Sequence, residues 1–122
     1  MIQNVKAARE FVKGLRSGDY PQYGGNLISY PGDYYHPVGE EKPAYCAEGV
    51  FVLTALKGRF DHRKALYTVY GVEHEDTGFL NEEALISVFG EWVPVRTWND
   101  ARGWSFEVIA DTLEAMFPKI RS

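Results

Sequence analysis

The chain has 122 residues, a hydrophobic fraction of 45%, a charged fraction of 25% and a formal net charge of −4. These values are those of one globular domain with a core of modest size, and they exclude a disordered chain. The acidic balance and the lack of a long basic run argue against binding to duplex nucleic acid, while the single cysteine, Cys46, excludes an intramolecular disulfide and a cysteine-rich zinc site.

Helical periodicity is clearest at the two ends of the chain. Near the N-terminus, the apolar residues at the spacing of one helix face are Val5, Ala8, Phe11, Val12 and Leu15. Asn4 is placed to cap the start of this helix, and Gly14 and Gly18 are candidates for its end. Near the C-terminus, Ser105 is placed to cap a second helix. The apolar face of that helix consists of Phe106, Ile109, Ala110, Leu113 and Phe117.

The first half of the middle region mixes short strand signals with one apolar helix. Residues 26–30 are predicted as a short strand, and residues 31–43, rich in proline and tyrosine, as a loop with a binding or interfacial role. Residues 45–56 are almost continuously apolar and are predicted as a buried helix. Alternating side chains predict a strand over residues 65–72.

Two further elements are expected before the C-terminal helix. After an acidic loop at residues 73–78, Asn81 is placed to cap a helix over residues 82–89. Residues 91–96 are predicted as a short strand with Pro94 at its edge. The chain is therefore expected to form a single compact α+β domain, in which N-terminal, central and C-terminal helices pack on a small, mainly antiparallel sheet.

The densest group of chemically versatile side chains lies at residues 98–106. If this segment leads into a helix N-terminus, its backbone N–H groups favour an anion. Arg102 is suited to bind a phosphate, and either Trp98 or Trp104 is suited to stack on a base. Asn99 and Asp100 are suited to hydrogen-bond ring edges or ribose hydroxyls.

A structural role is also open for this segment. In that interpretation both tryptophans belong to the core, and Asn99 and Asp100 form an Asx turn before the helix. We expect Trp104 and Phe106 to anchor the C-terminal helix. The exposed polar edge then consists of Asn99, Asp100 and Arg102.

Two other groups of residues are weaker candidates. Lys13 and Arg16 lie near the end of the first helix, where basic side chains also interact favourably with the helix dipole. Cys46 precedes His62 or His74 and then Asp100, an order found in some cysteine hydrolases, although a cysteine in so apolar a segment is also typical of a core. The spacing of the histidines does not support a metal site, and no cofactor is expected.

Aromatic residues make up 15% of the chain, which exceeds what so small a core needs. Part of them is therefore expected at a subunit interface or around a ligand. The longest apolar stretch, near residues 50–56, is too short to span a bilayer, and no secretory signal follows Met1. We expect a cytoplasmic protein with no membrane partner.

Three segments carry a resemblance to a known group of proteins. They are Leu15-Arg16-Ser17-Gly18-Asp19-Tyr20, Tyr45-Cys46-Ala47-Glu48-Gly49-Val50, and Asn99-Asp100 with Gly103-Trp104-Ser105-Phe106 and Ile109-Ala110-Asp111. In their order and spacing the chain resembles small phage-encoded proteins. Within that group it is most similar to the anti-Thoeris sponge proteins, which sequester cyclic ADP-ribose isomers made by bacterial TIR-domain defence enzymes. Ala47 and Glu48 depart from the group's pattern, which often has a second cysteine and a leucine there.

The resemblance implies a non-enzymatic binder of a cyclic nucleotide signal, such as glyco-cyclic ADP-ribose, in the cytoplasm of the host bacterium. It also implies a homodimer or larger homo-oligomer, with pockets where subunits meet and with no catalytic residue. The residues expected to bind the ligand are Arg16, Tyr45, Phe79, Trp98, Asn99, Asp100 and Arg102.

Two alternatives remain at this stage. The first is a small cysteine hydrolase that uses Cys46 as its nucleophile. The second is an inhibitor that binds a host protein through the acidic residues 73–76 together with Glu82 and Glu83.

Overall fold

Helices account for most of the part of the chain that the structure describes. The computed structural model describes residues 1–24, 28, 29, 31, 39, 41–56 and 74–121. Within these residues there are five α-helices and a final 3-10 turn. They are α1 (Val5–Arg16), α2 (Ala47–Thr54), α3 (His74–Phe89), α4 (Val95–Asp100), α5 (Phe106–Met116) and the turn Pro118–Ile120.

The α+β prediction is wrong for the described residues, which are mainly helical. Strands β1 (Ile28–Ser29) and β2 (Ala44–Tyr45) form a single antiparallel pairing, with Ile28 opposite Tyr45. Two residues from each strand are too few to provide a sheet on which helices pack. Of the predicted strand at residues 26–30, the structure describes Ile28 and Ser29, which form β1, and the predicted strand at residues 65–72 lies outside the described residues.

Three of the predicted helices are confirmed. The Asn4 side chain accepts a hydrogen bond from the N–H of Ala7 at 3.0 Å, as expected for the cap of α1, and the helix continues past Gly14. Ser105 caps α5 in the same way. The apolar central helix is present as α2, shorter than predicted and capped by Cys46.

Aromatic side chains from three helices meet at the centre of the core. The ring of Phe11 from α1 lies edge-on to Phe51 from α2, with 5.1 Å between centroids, and 6.3 Å from Phe89 of α3. All three are fully buried. Gly14 lets α1 approach α2 closely, since a Cβ at this position would lie 2.6 Å from Cγ2 of Thr54.

The region from His74 to Asp100, which contains α3 and α4, differs most from the prediction. The acidic residues from His74 onward belong to α3, so they do not form a loop, and Asn81 lies inside that helix instead of capping it. Residues 91–96 do not form a strand, because Pro94 stands immediately before α4. A proline there costs little, since the first N–H groups of a helix have no partner within it.

Candidate functional site

The segment at residues 98–106 runs from the last turn of α4 into the first residue of α5. Its backbone N–H groups bond within the protein: those of Ala101 and Arg102 donate to the carbonyl of Thr97, and that of Trp104 donates to the carbonyl of Trp98. Gly103, at φ +64°, makes the turn between the two helices. The segment does lead into the N-terminus of α5, but the N–H groups of Ala101, Arg102 and Trp104 are already bonded within the protein and are not available to an anion.

Asn99 is buried, and protein groups use both ends of its side chain. Its oxygen accepts hydrogen bonds from the Gln22 amide at 2.8 Å and from the N–H of Ala47, the first residue of α2, at 3.2 Å. Its nitrogen donates to the carbonyl of Tyr23 at 3.2 Å and to Asp100 at 2.8 Å. Asn99 thus joins three segments of the chain and does not form part of an exposed edge.

Gln22 is the second member of this group of hydrogen bonds, and we call Asn99, Gln22 and the groups that they bond the hub. Its amide nitrogen also donates to the carbonyl of Trp104 at 2.7 Å, and its oxygen accepts the N–H of Phe106 at 3.0 Å. That N–H is one of the first of α5, which needs a partner from outside the helix. The pair of Asn99 and Gln22 therefore satisfies the starts of both α2 and α5.

The two tryptophans of the segment pack on each other. The ring centroids of Trp98 and Trp104 lie 5.4 Å apart with the planes at 26°, and Trp98 is buried. The guanidinium carbon of Arg102 lies 5.4 Å from the centroid of Trp104. This arrangement uses one face of Trp98 and covers Trp104 with a cation, so neither indole is presented to a base.

Asp100 and Arg102 are exposed, as predicted, whereas Asn99, the third residue of the predicted exposed edge, is buried. One carboxylate oxygen of Asp100 accepts from Asn99, and the other lies 3.8 Å from Nε of Arg96, one turn earlier in α4. Arg102 forms no ion pair with any described residue.

Arg16 is held by three carboxylates of α5. Its guanidinium donates to Glu107 at 3.1 Å and also to Asp111 and Glu114. The hydrogen bond to Glu114 is the largest cause of the raised pKa of Arg16, and burial partly offsets it. The side chain joins α1 to α5, and its charge is already compensated before any ligand arrives.

The two remaining predicted residues lie elsewhere. The ring of Tyr45 is half-buried and meets the edge of Tyr20 at 5.1 Å, and its backbone pairs with Pro21 and Tyr23. The side chain of Phe79 lies outside what the structure describes. The structure therefore brings Tyr45 and residues 98–102 to one hub, whereas Arg16 lies on the separate seam between α1 and α5.

Cys46 is a core residue and not an exposed thiol. Its side chain is 2% exposed, and its sulfur accepts the N–H of Gly49 at 3.4 Å at the start of α2. Burial raises the pKa of the Cys46 thiol to about 12. The group is therefore protonated at neutral pH, the opposite of what nucleophilic catalysis requires. Of the suggested partners, His62 and the side chain of His74 lie outside the described residues.

A groove along α1 offers a ligand-sized space among the described residues. Its volume is about 450 Å³, within the usual range for small-molecule sites. Val12 and Ile120 supply its apolar floor, while Arg9 and Lys13 supply cations from successive turns of α1. Arg16 also lines the groove.

Charge is unevenly distributed around this groove. Within the described part of the chain, Arg9 and Lys13 form no ion pair, whereas Arg16 and Glu114 compensate each other. Arg9 is held in place by neutral groups, because its Nη2 donates to the backbone carbonyls of Lys119 and Arg121. A chain of net charge −4 thus has a local positive site with a fixed guanidinium.

Sequence reasoning missed both Arg9 in the groove and the acidic partners of Arg16. The spacing of Glu107, Asp111 and Glu114 places the three on one helix face, which the sequence could have shown. It could not show that this face meets α1. The pairing of Gln22 with Asn99 across 77 residues left no local signal at all.

The described residues include no group of three or more histidine, cysteine or acidic side chains that could hold a metal ion. Nor do they include a helix of the length and apolar character needed to cross a bilayer. In comparisons with known proteins, the chain matches no family model, no curated protein and no solved structure.

Proposed function

We propose that the chain binds a cyclic ADP-ribose-type nucleotide signal without transforming it, and so removes the signal made by TIR-domain immune enzymes during anti-phage defence. The resemblance of residues 15–20, 45–50 and 99–111 to anti-Thoeris sponge proteins supports the ligand class. The observation that carries the proposal is the groove along α1, whose volume of about 450 Å³ and two cations without an ion pair among the described residues suit a ligand with a diphosphate.

The diphosphate is assigned to Arg9 and Lys13. Residues four apart on a helix have Cβ atoms about 6 Å apart, so two side chains on adjacent turns can bind the two phosphate groups of one ligand. Arg9 is positioned in advance by its bonds to two carbonyls, which lowers the ordering cost of binding. Repulsion between the two cations is relieved when the anion binds.

The rest of the nucleotide is assigned to the remaining walls. Val12 and Ile120 offer aliphatic surface for a face of the base. The Glu114 carboxylate, one oxygen of which accepts from Arg16, has a second oxygen suited to a ribose hydroxyl. Arg16 then acts as a wall held by α5 and not as the main phosphate ligand.

Sequestration also requires that the ligand be enclosed. A groove open to solvent on one side does not cover most of a nucleotide's surface, as tight small-molecule sites do. We therefore include self-association in the proposal, with a second copy of the chain covering the groove. Light scattering after size-exclusion chromatography, with and without ligand, measures the oligomer directly.

The decisive experiment is calorimetric titration with cyclic ADP-ribose and its glyco-cyclic isomers, followed by heat denaturation and mass spectrometry of the released ligand. We expect binding to at least one isomer and recovery of that isomer unchanged. Lys13→Gln should weaken binding at least tenfold, because it removes one of two charge-assisted contacts. Lys6→Gln is the matched control, as it removes the same charge from α1 outside the groove.

The outcomes separate the possible sites. Equal affinity of the two lysine variants would rule out the groove. Loss of binding in Arg102→Gln but not in Lys13→Gln would place the nucleotide against residues 98–102, as the sequence suggested. Absence of binding across the isomer set, or consumption of the ligand, would reject sequestration itself.

A further inference from the structure

A second cavity, of about 200 Å³, lies on another part of the surface, between α3 and α4. Its lining includes Trp92, Glu48, Glu82, Arg96 and Thr97. None of these residues borders the groove along α1. The volume is below the usual range for nucleotide-sized ligands, so the cavity suits a smaller molecule.

Trp92 is the unusual wall of this cavity. Its side chain is 53% exposed, while the other two tryptophans are buried or half-buried and stacked on each other. Among side chains, the indole ring attracts a cation most strongly when the cation lies over its face. An indole that is open to solvent inside a cavity therefore favours a cationic group with some apolar surface.

The charges around the cavity have the matching sign. Glu82 is exposed on α3 and forms no ion pair with a described residue, whereas Glu48, from the first turn of α2, is buried and interacts within the protein. The one cation of the lining, Arg96, has the carboxylate of Asp100 beside it at 3.8 Å. The lining is therefore acidic, which disfavours the anionic ligand proposed for the groove along α1.

From these observations we infer that the cavity beside Trp92 binds a small organic cation, an alkylammonium group with a short aliphatic chain. The ammonium lies over the indole and pairs with Glu82, and the aliphatic part contacts the apolar portion of the lining. The volume of about 200 Å³ limits the bound part to a short chain. This site is independent of the nucleotide proposal and does not rely on it.

The test uses 1,4-diaminobutane as the probe, with n-butylammonium and butan-1-ol as comparisons. Binding of each compound is measured by tryptophan fluorescence and by saturation-transfer NMR. We expect both ammonium compounds to bind and to change the emission of Trp92, and the neutral alcohol to bind at least tenfold more weakly. Because Trp98 and Trp104 are shielded by each other, Trp92→Leu should remove most of the fluorescence response.

Glu82→Gln and Glu83→Gln form a matched pair, since both residues are exposed on α3 but only Glu82 lines the cavity. We expect Glu82→Gln to weaken binding of 1,4-diaminobutane about fivefold or more, and Glu83→Gln to change it less than twofold. Equal effects of the two substitutions, equal binding of the alcohol, or a fluorescence response that survives Trp92→Leu would each overturn the inference. Far-ultraviolet circular dichroism checks that the variants are folded.

Discussion

The hub around Asn99 and the groove along α1 contain similar kinds of polar side chain, but the protein uses them differently. At the hub, each end of the Asn99 amide bonds with other parts of the chain. Along the groove, Arg9 and Lys13 keep charges that no described carboxylate compensates. A segment rich in amides, carboxylates and indoles is therefore not open to a ligand on account of its composition alone. What matters is how many of its hydrogen-bonding groups the fold has already used.

The strongest test of this difference is Asn99→Ala. The substitution leaves the buried N–H of Ala47 without its acceptor, removes one of the two acceptors of the Gln22 amide, and removes the donor to the carbonyl of Tyr23. We therefore expect a loss of about 3 kcal/mol in the free energy of unfolding. Urea denaturation followed by circular dichroism measures it. Thr97→Ala, an exposed change in the same short helix, should stay within about 0.5 kcal/mol of the parent. A loss below about 1 kcal/mol for Asn99→Ala would show that the hub is not structural.

Cys46 precedes Ala47 of the hub in the sequence. Its buried thiol should make the free energy of unfolding depend on pH in the alkaline range. Burial raises the pKa of its thiol from 9.0 to about 12, so the folded state keeps the proton that the unfolded state loses. The stabilisation from the buried thiol is complete below pH 9 and is lost as the pH rises toward 12. The contribution of this group should fall by about 1.4 kcal/mol per pH unit in that window.

The measurement compares urea denaturation of the parent and of Cys46→Ala between pH 8 and 10.5. The parent should lose stability more steeply than the variant, because other titrating groups are common to both. Parallel pH profiles would contradict the assignment. In addition, the native thiol should resist alkylation at neutral pH and react once the chain is unfolded, whereas rapid alkylation of the folded protein would revive the cysteine hydrolase hypothesis.

A smaller effect is expected from Arg16→Gln, which probes the boundary between the two regions. Arg16 borders the groove, yet three carboxylates of α5 compensate its charge. We expect a stability loss of about 1 kcal/mol that shrinks in high salt, since the carboxylate partners are mainly exposed. Nucleotide affinity should change less than threefold, in contrast to Lys13→Gln. An affinity loss as large as that of Lys13→Gln would show that Arg16 itself contacts the nucleotide.

The parts of the fold that the sequence predicted are those with strong local signals. α1 and α5 combine a regular apolar face with a side-chain cap, at Asn4 and Ser105, and both were confirmed. α4 was missed because its six residues carry no apolar periodicity and follow a proline. The start of α3 was missed because the acidic residues and Gly78 are typical of a loop.

The candidate site was less accessible to prediction than the fold. The sequence singled out Asn99 and Arg16 by their chemistry, but their partners are remote: Gln22 lies 77 residues from Asn99, and Asp111 lies 95 residues from Arg16. Hydrogen-bond partners at such separations are set by the packing of helices and not by local pattern. The cation pair Arg9 and Lys13 had a visible spacing, but its value as a site depends on Ile120 closing the groove.

The hub at Asn99 also sets the order in which the chain can complete its structure during synthesis. Asn99 follows Ala47 by 52 residues, so the start of α2 lacks this partner until α4 has emerged from the ribosome. Contacts between positions so far apart in sequence form slowly, because the intervening chain must first be closed into a loop. A nascent chain that stops before residue 99 therefore keeps the backbone pairing of Tyr45 with Pro21 and Tyr23, but it lacks the side-chain hydrogen bonds that join Gln22 to the starts of α2 and α5.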